Sequence, residues 1–464
     1  MVDDTILQKL IKKALSNGGE YADIFIEHRK STAIQLEDDK IEKVIAGSIV
    51  GIGIRLIYKA KTAYAYSNDL SESVLMDIAD TVSKAAADAE RDIVVNMKRR
   101  YPETTFIIKK YPETVPVSEK IALVKIGNDT ARKFDPKIKQ VNIMYKDSMQ
   151  KIKIYTSEGF VSEDERVYTL GVVQVIAADG EIIQTGYEPV SGLMGYELFD
   201  ENPIDMVALK AAQRAVMMLR AKRAPGGRMS VVISSEAGGT MVHEAIGHGL
   251  EADLAQQGLS VYSRKVGQQV ASAAVTVIDD ATLPNKRGSF SFDDEGTPSR
   301  RNILVKEGIL QGYMYDKYTA MIDGTLSTGN GRRESYEHKP VPRMTNTFIA
   351  PGKLSCDEII ASVNKGLMVK KMGGGQVNTV TGDFVFEVQE GYIIENGMVG
   401  EPVRGATLIG NGPEILMSID MVASDIGFSV GTCGKDGQGV PVSDAMPTIR
   451  IPEMVVGGEI SSIS

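Results

Sequence analysis

The run His243-Glu244-Ala245-Ile246-Gly247-His248 places two imidazoles and a carboxylate close together. These are the groups that bind a divalent metal and move a proton beside it. In metallopeptidases with the spacing H-E-x-x-H, the histidines fall at i and i+4 on one helix face, and the glutamate is the general base. Here the second histidine comes one residue later. On a regular α-helix, residues i and i+5 lie about 140° apart, too far round to converge on one small ion. A π-turn, hydrogen-bonded from i to i+5, would realign them. Gly247 and Gly249 flank His248 and permit such a turn or an early helix end. A metal site here therefore requires a local departure from α-helix. The alternative is an ordinary polar helix face. The scarcity of histidine favours the metal: of only 4 in the chain, His28, His243, His248 and His338, half sit in this motif.

A catalytic zinc takes three protein ligands and keeps one open position. Candidates for the third ligand are Glu251, Asp253, His338, Cys356 and Cys433. Glu251 and Asp253 follow the motif and could instead orient its histidines by hydrogen bonds. Cys433 lies in a tight glycine loop, Gly431 to Gly437, which either exposes the thiol or buries it as a small side chain. Cys356 precedes an expected helix and reads as a packing or capping-region residue. His338 could stabilise an oxyanion or sit at a surface or interface. Arg300-Arg301 and Arg332-Arg333 could clamp a peptide carboxylate, or serve as solvated charges and structural ion pairs. Tyr313, Tyr315 and Tyr318 read as core or interface, and His28 as strand surface. Gly373-Gly374-Gly375-Gln376 lacks the Gly-Lys-Ser/Thr ending of a phosphate loop and reads as a hinge or strand-edge opening. No carboxylate pair points to a glycosidase, and no G-x-S-x-G elbow lies near the histidines.

Positioning these groups takes a large fold. Only 12 of the 46 glycines precede residue 225, so the chain changes character near Ala224-Pro225-Gly226-Gly227, a run that breaks regular structure. Two domains are expected, 1–224 and 225–464. In the first, Asp4–Leu15, Ser71–Ala89, Ser118–Phe134 and Ile204–Ala221 have helical spacing. Strands are expected at Ala22–Glu27, Thr32–Glu37, Val50–Tyr58 and Ala63–Tyr66, then from Val141 to Tyr187 with a hairpin turn at Asp179-Gly180. In the second, Ser230–Ser234 reads as a strand, and Ala237 to Leu254 carries the motif helix and continues through Glu251 and Asp253. Hairpins are expected at Glu307-Gly308 and Asn396-Gly397. Phe384, Phe386 and Val388 alternate along one strand face. The fold class is α+β: a mixed N-terminal domain, then a β-rich C-terminal domain carrying the metal-motif helix.

The composition narrows the function classes. With 464 residues the chain needs neither disulfides nor metal merely to fold. Its net charge of -9 argues against a strongly basic nucleic-acid binder. The 2 cysteines exclude a disulfide framework. The first residues pattern as a helix rather than a secretory signal. The longest apolar region, Val44 to Tyr58, is interrupted by Ser48, glycines and Arg55, and is too short to span a bilayer. A soluble cytoplasmic protein without nucleic-acid or membrane partners is expected.

Long stretches of the second half carry a resemblance. They include MVHEAIGHGLEAD, DDEGTPSRRNILVKEGILQGYMYDKYTA, STGNGRRESYEHKPVPRMTN, GGGQVNTVTGDFVFEVQEGYIIENG, PVRGATLIGNGPE and GTCGKDGQGVPVSD. The sequence resembles the TldD/PmbA family of metallopeptidases over nearly its whole length, densest from Arg228 to Arg450. The full histidine motif places it with the metal-bearing members. The resemblance implies a metal, Zn²⁺ or another divalent ion, on His243, His248 and Cys433, with Glu244 as general base toward the water the metal activates. It also implies a two-domain subunit that pairs with a homologous TldE/PmbA-type subunit or with itself. The implied substrates are unfolded or leader-type peptides bound as an added strand. The expected function is thus a metal-dependent peptidase. The alternative is a non-catalytic peptide-binding or regulatory subunit.

Overall fold

The computed structural model describes residues 2–86, 97–378 and 380–459. The chain is α+β, with a mixed first half and a β-rich second half. The long strand Tyr21–Glu37 organises the first half. It pairs antiparallel with Lys40–Tyr58 on one side and Ile138–Thr156 on the other. Phe160–Asp179 and Ile182–Gly192 extend the sheet beyond Ile138–Thr156, and Lys61–Ser67 lies against Lys40–Tyr58.

The strand alternation divides its duties. Ile24 packs with Leu7, Leu10 and Ile11 of the helix Asp4–Ala14 and with Leu75 and Ala79 of Glu72–Ser83. Ile34 and Leu36, on the same parity further along, pack with the helices Val117–Phe134 and Ile204–Arg220. The odd-numbered residues serve the second half. Phe25 packs with Tyr336, Glu27 accepts a hydrogen bond from the Tyr336 amide at 2.9 Å, and Asp23 meets two arginines.

Two short strands were expected where this one runs unbroken. Ladders on both sides satisfy the backbone across the polar stretch from His28 to Ser31, so its polarity does not interrupt pairing. The expected helix Ser71–Ala89 is found as Glu72–Ser83, and residues 87–89 lie outside the described residues.

Two large β assemblies dominate the second half, beside a small pair of Gly331–Arg332 and Val341–Pro342. In one, Lys365–Val377, Gly227–Ile233, Ile449–Gly457, Thr407–Asn411 and Asp383–Glu395 pair in turn, and Asp383–Glu395 pairs back on Lys365–Val377. The ring therefore closes. Phe384, Phe386 and Val388 alternate into its buried core as expected. The other assembly is a sheet of Ile309–Leu310, Arg301–Lys306, Val277–Asp280, Asn346–Ile349, Gln438–Met446 and Gly427–Lys435. Glu307-Gly308 and Asn396-Gly397 make the expected two-residue turns, both residues having positive φ in each. Among the described residues no helix is long and apolar enough to cross a membrane.

Buried ion pairs tie the halves together. Arg55, 1% exposed, donates through Nε to Asp23 at 2.7 Å and through Nη2 to Glu295 of the second half at 2.7 Å. Arg166 reaches Asp294 at 2.7 Å. Replacing Arg55 by Met leaves buried Glu295 without its cation and Asp23 with Arg333 alone. Such a loss costs about 3–5 kcal/mol. The urea midpoint of the variant is expected to fall accordingly, and an unchanged midpoint would show that the pairs carry no net stability.

Candidate metal centre

The motif segment begins at the end of Gly227–Ile233. One α-turn, Thr240–Val242, leads into a π-turn over His243–Gly247, and a 3₁₀ turn follows at His248–Leu250. The His248 amide donates to the His243 carbonyl, the i to i+5 bond that the motif spacing requires. The two imidazoles consequently face each other, with ring centroids 4.9 Å apart and planes at 86°.

Neighbours hold the distortion in place. The Tyr262 hydroxyl donates to the Ala245 carbonyl at 2.9 Å, and the Ser260 hydroxyl to the Gly249 carbonyl at 2.6 Å. A Cβ on Gly247 would lie 2.1 Å from the Met344 sulfur, and one on Gly249 would lie 2.6 Å from the Tyr262 ring. Close packing, rather than φ, fixes both glycines.

The expected continuous helix ends early. Glu251 is extended, with ψ 125, and a separate helix, Ala252–Gln256, starts after it. The turn aims the Glu251 side chain back at the motif. Its Oε2 lies 3.1 Å from His248 Nδ1, leaving Nε2 for the interior of the site.

Cys433 arrives from the far edge of the six-stranded sheet. The expected glycine loop is instead a strand through Lys435, and only Asp436-Gly437 turns, at φ 51 and 71. The dipeptide absorbs the whole reversal, so the ladder keeps Cys433 opposite Val440. The thiol is buried, 3% exposed, with Sγ 3.5 Å from His248 Nε2. One ligand atom each from His243, His248 and Cys433 lies within 4.8 Å of the others.

Lys435, two residues along the strand, shares the face of Cys433. Its Nζ lies 3.1 Å from Glu251 Oε2, 2.7 Å from Asp253 Oδ1 and 3.0 Å from the Pro342 carbonyl. The sequence reading missed this residue, although the period of two along a strand placed it beside the thiol. Arg343, fully buried, donates to the Cys433 carbonyl and to that of Gln438.

The charges reinforce one another. Burial alone would raise the Cys433 thiol, but hydrogen bonds from both imidazoles bring it down to about 5. Burial likewise opposes charge on His248, yet Glu251 and Cys433 hold its pKa well above the ordinary imidazole value. Glu251 is fully buried, and His248 and Lys435 overcome that burial to bring it to about 2. Asp253 shifts the other way, raised by burial against the pull of Lys435.

The remaining candidates lie elsewhere. Asp253 contacts Lys435 rather than a histidine. Cys356 starts the helix Cys356–Ala361, with Sγ 3.1 Å from Asp425 and 3.4 Å from Thr448. His338 is not among the residues lining the groove; its Nδ1 sits 3.1 Å from the Ser335 hydroxyl. Arg333 is a buried structural arginine beside Asp23 and Asp294. Tyr313 and Tyr318 donate to the carbonyls of Tyr262 and Ala60, as packing residues do.

The three converging atoms border an open groove of about 570 Å³, lined also by Glu244, Leu254, Gln376 and Lys435. The donor set suits a metal of the zinc type. In a tetrahedral site with bonds of about 2.0–2.3 Å, ligand atoms stand roughly 3.3–3.6 Å apart. The observed sulfur-to-nitrogen separation of 3.5 Å falls in that range.

Family models describing PmbA/TldA metallopeptidases match three successive parts of the chain: domain 1 over residues 22–90, the central domain over 110–219 and the C-terminal domain over 226–458. The chain belongs to the PmbA/TldA metallopeptidase family. A Haemophilus influenzae relative named metalloprotease TldD homolog is 37% identical over 95% of this chain and 93% of its own length. The zinc metalloprotease TldD homolog of Saccharolobus solfataricus is 30% identical over 97% of this chain and 100% of its own. The crystal structure of TldE from Thermococcus kodakarensis shares the fold, with a TM-score of 0.76 at 18% identity over 98% of this chain and 100% of that one.

Within this PmbA/TldA chain, the Glu251 contact can be tested directly. A carboxylate behind a ligating histidine typically contributes 10- to 100-fold to metal affinity. Glu251→Gln keeps the size and loses the charge. Competition against a chromophoric chelator should show affinity reduced by about that factor. Unchanged affinity would mean that His248 needs no such support.

Proposed function

We propose that the chain is a metal-dependent peptidase of unfolded or leader-type peptides. The convergence of His243, His248 and Cys433 at an open groove beside Glu244 carries this reading. His243, His248 and Cys433 would hold a divalent metal, with zinc the best match to the donors and the metal named for one relative. Bound there, it would act as a Lewis acid toward a peptide carbonyl and make water more acidic.

Glu244 does the proton work. Among the described residues its carboxylate has no hydrogen-bond or ion-pair partner, so it is free to meet water and substrate in the groove. A carboxylate oxygen of Glu244 takes a proton from water and returns it to the leaving amine nitrogen. Glu251 and Lys435 act behind the ligands, holding His248 by its Nδ1. His338 is not assigned to the oxyanion, because it does not line the groove.

The groove is bordered by residues of two strands, Lys365–Val377 and Gly427–Lys435, which suits an extended peptide recognised largely through its backbone. The three-glycine run lies in the first of these, where the ladder register shifts between Met372 and Gly375, beside the groove residue Gln376. The chain would act in the cytoplasm, where its 2 unpaired cysteines stay reduced. It would pair with a homologous TldE-type subunit or a second copy.

Positioned acid–base groups contribute about 10²- to 10⁴-fold to rate. Glu244→Gln should slow cleavage of an unstructured peptide by that factor while leaving bound metal unchanged. A chelator should abolish cleavage in the parent protein. Full activity in the Gln variant would remove Glu244 from the mechanism, and an absence of metal-dependent cleavage in the parent protein would favour a binding subunit.

A further inference from the structure

Thr432 precedes Cys433 on the strand Gly427–Lys435, and its side chain is exposed where that of Cys433 is buried. It also lines a second cavity, of about 210 Å³, between this strand and the first-half strands Ile138–Thr156 and Phe160–Asp179. Two arginines of the second half meet there. Arg287 donates to the Gly431 carbonyl at 3.2 Å and to the Ser191 hydroxyl at 2.7 Å. Arg332, 2% exposed, donates to the carbonyls of Met344 at 2.6 Å and Pro441 at 2.7 Å. Pro441 pairs with Thr432 in the ladder, so the two guanidinium groups bracket one position of the hairpin.

Neither arginine is paired with a carboxylate among the described residues. Most other charges of the cavity have partners, and Arg29 lies 3.5 Å from Glu27. Arg166 is held by Asp164 and Asp294, and Arg333 by Asp23. Asp147 is taken by Lys120 at 2.6 Å, and Glu334 accepts from the Gly439 amide at 2.6 Å. Lys146, exposed, adds a further positive charge at the rim. Arg332 also keeps a buried Nε with no partner. Burying a cation against neutral acceptors alone is costly. That cost appears as pKa values depressed by burial for both groups, Arg332 to about 10.

We propose that this interdomain cavity is an oxyanion-binding site in which Arg287 and Arg332 grip a carboxylate or phosphate group beside Thr432, across one strand from the Cys433 thiol. A planar fork of N–H donors suits either anion. The volume admits a phosphate or the terminal residue of a peptide. The proposal does not depend on peptidase activity, since binding is measured without catalysis.

Isothermal titration of the full chain with inorganic phosphate, N-acetylalanine and N-acetylalanine amide tests it, with metal loaded and after chelation. Either anion should bind and the amide should not. Tighter phosphate identifies a free anion as the occupant; tighter N-acetylalanine identifies a peptide terminus. A charge-assisted hydrogen bond is worth enough that Arg287→Gln should weaken binding about tenfold or more, and Arg287→Lys less. Arg287 is the residue to vary because Arg332 braces two carbonyls. Matching thermal unfolding confirms that each variant is folded. No binding at millimolar concentration, binding lost on chelation, or binding indifferent to Arg287→Gln would each overturn the proposal.

Discussion

One hydrogen bond, from the His248 amide to the His243 carbonyl, sets the rest of the site. In an α-helix that amide would bond one residue later, and the imidazoles would point apart. The wider π-turn brings them to a common point. A π-turn is rare because its backbone packs less well, and the segment keeps it through outside support. Tyr262 and Ser260 take carbonyls around the turn, and the glycines at 247 and 249 let Met344 and Tyr262 press against the backbone.

The same turn explains the electrostatics. Ending the helix at Leu250 frees Glu251 to fold back under His248. Lys435 then makes that buried carboxylate tolerable, and Lys435 arrives on the same strand face as Cys433. Thiol, imidazoles, carboxylate and ammonium form a chain in which each charge stabilises its neighbour. Such a chain holds the two imidazole rings in place. It also draws on two distant parts of the sequence, so the site exists only when the six-stranded sheet and the closed ring are both assembled.

Much of this was legible locally. The spacing of His243 and His248 announced a distorted helix, and Asn396-Gly397 and Glu307-Gly308 announced hairpins, because those features depend on a few adjacent residues. The fold-back at Glu251 was not legible, since nothing in the motif forbids another helical turn; backbone hydrogen bonds from the Met314 amide to the Leu250 carbonyl and from the Ala252 amide to the Met314 carbonyl decide it. Closure of the five-strand ring depends on pairing between residues far apart in sequence, which periodicity does not encode. The role of Cys433 came from resemblance rather than from its own surroundings in the sequence. Arg332 and Arg333 looked alike as neighbours, yet the Arg333 guanidinium is paired with the Asp23 carboxylate and that of Arg332 has carbonyl acceptors only, a distinction that only the fold creates.

The central claim is that one thiolate and two imidazoles share a cation and leave it a place for solvent. X-ray absorption at the metal edge of the purified, metal-loaded protein tests this most directly. The account predicts one sulfur at about 2.3 Å with nitrogen and oxygen neighbours near 2.0–2.1 Å. A shell without sulfur, or one filled entirely by protein donors, would contradict it.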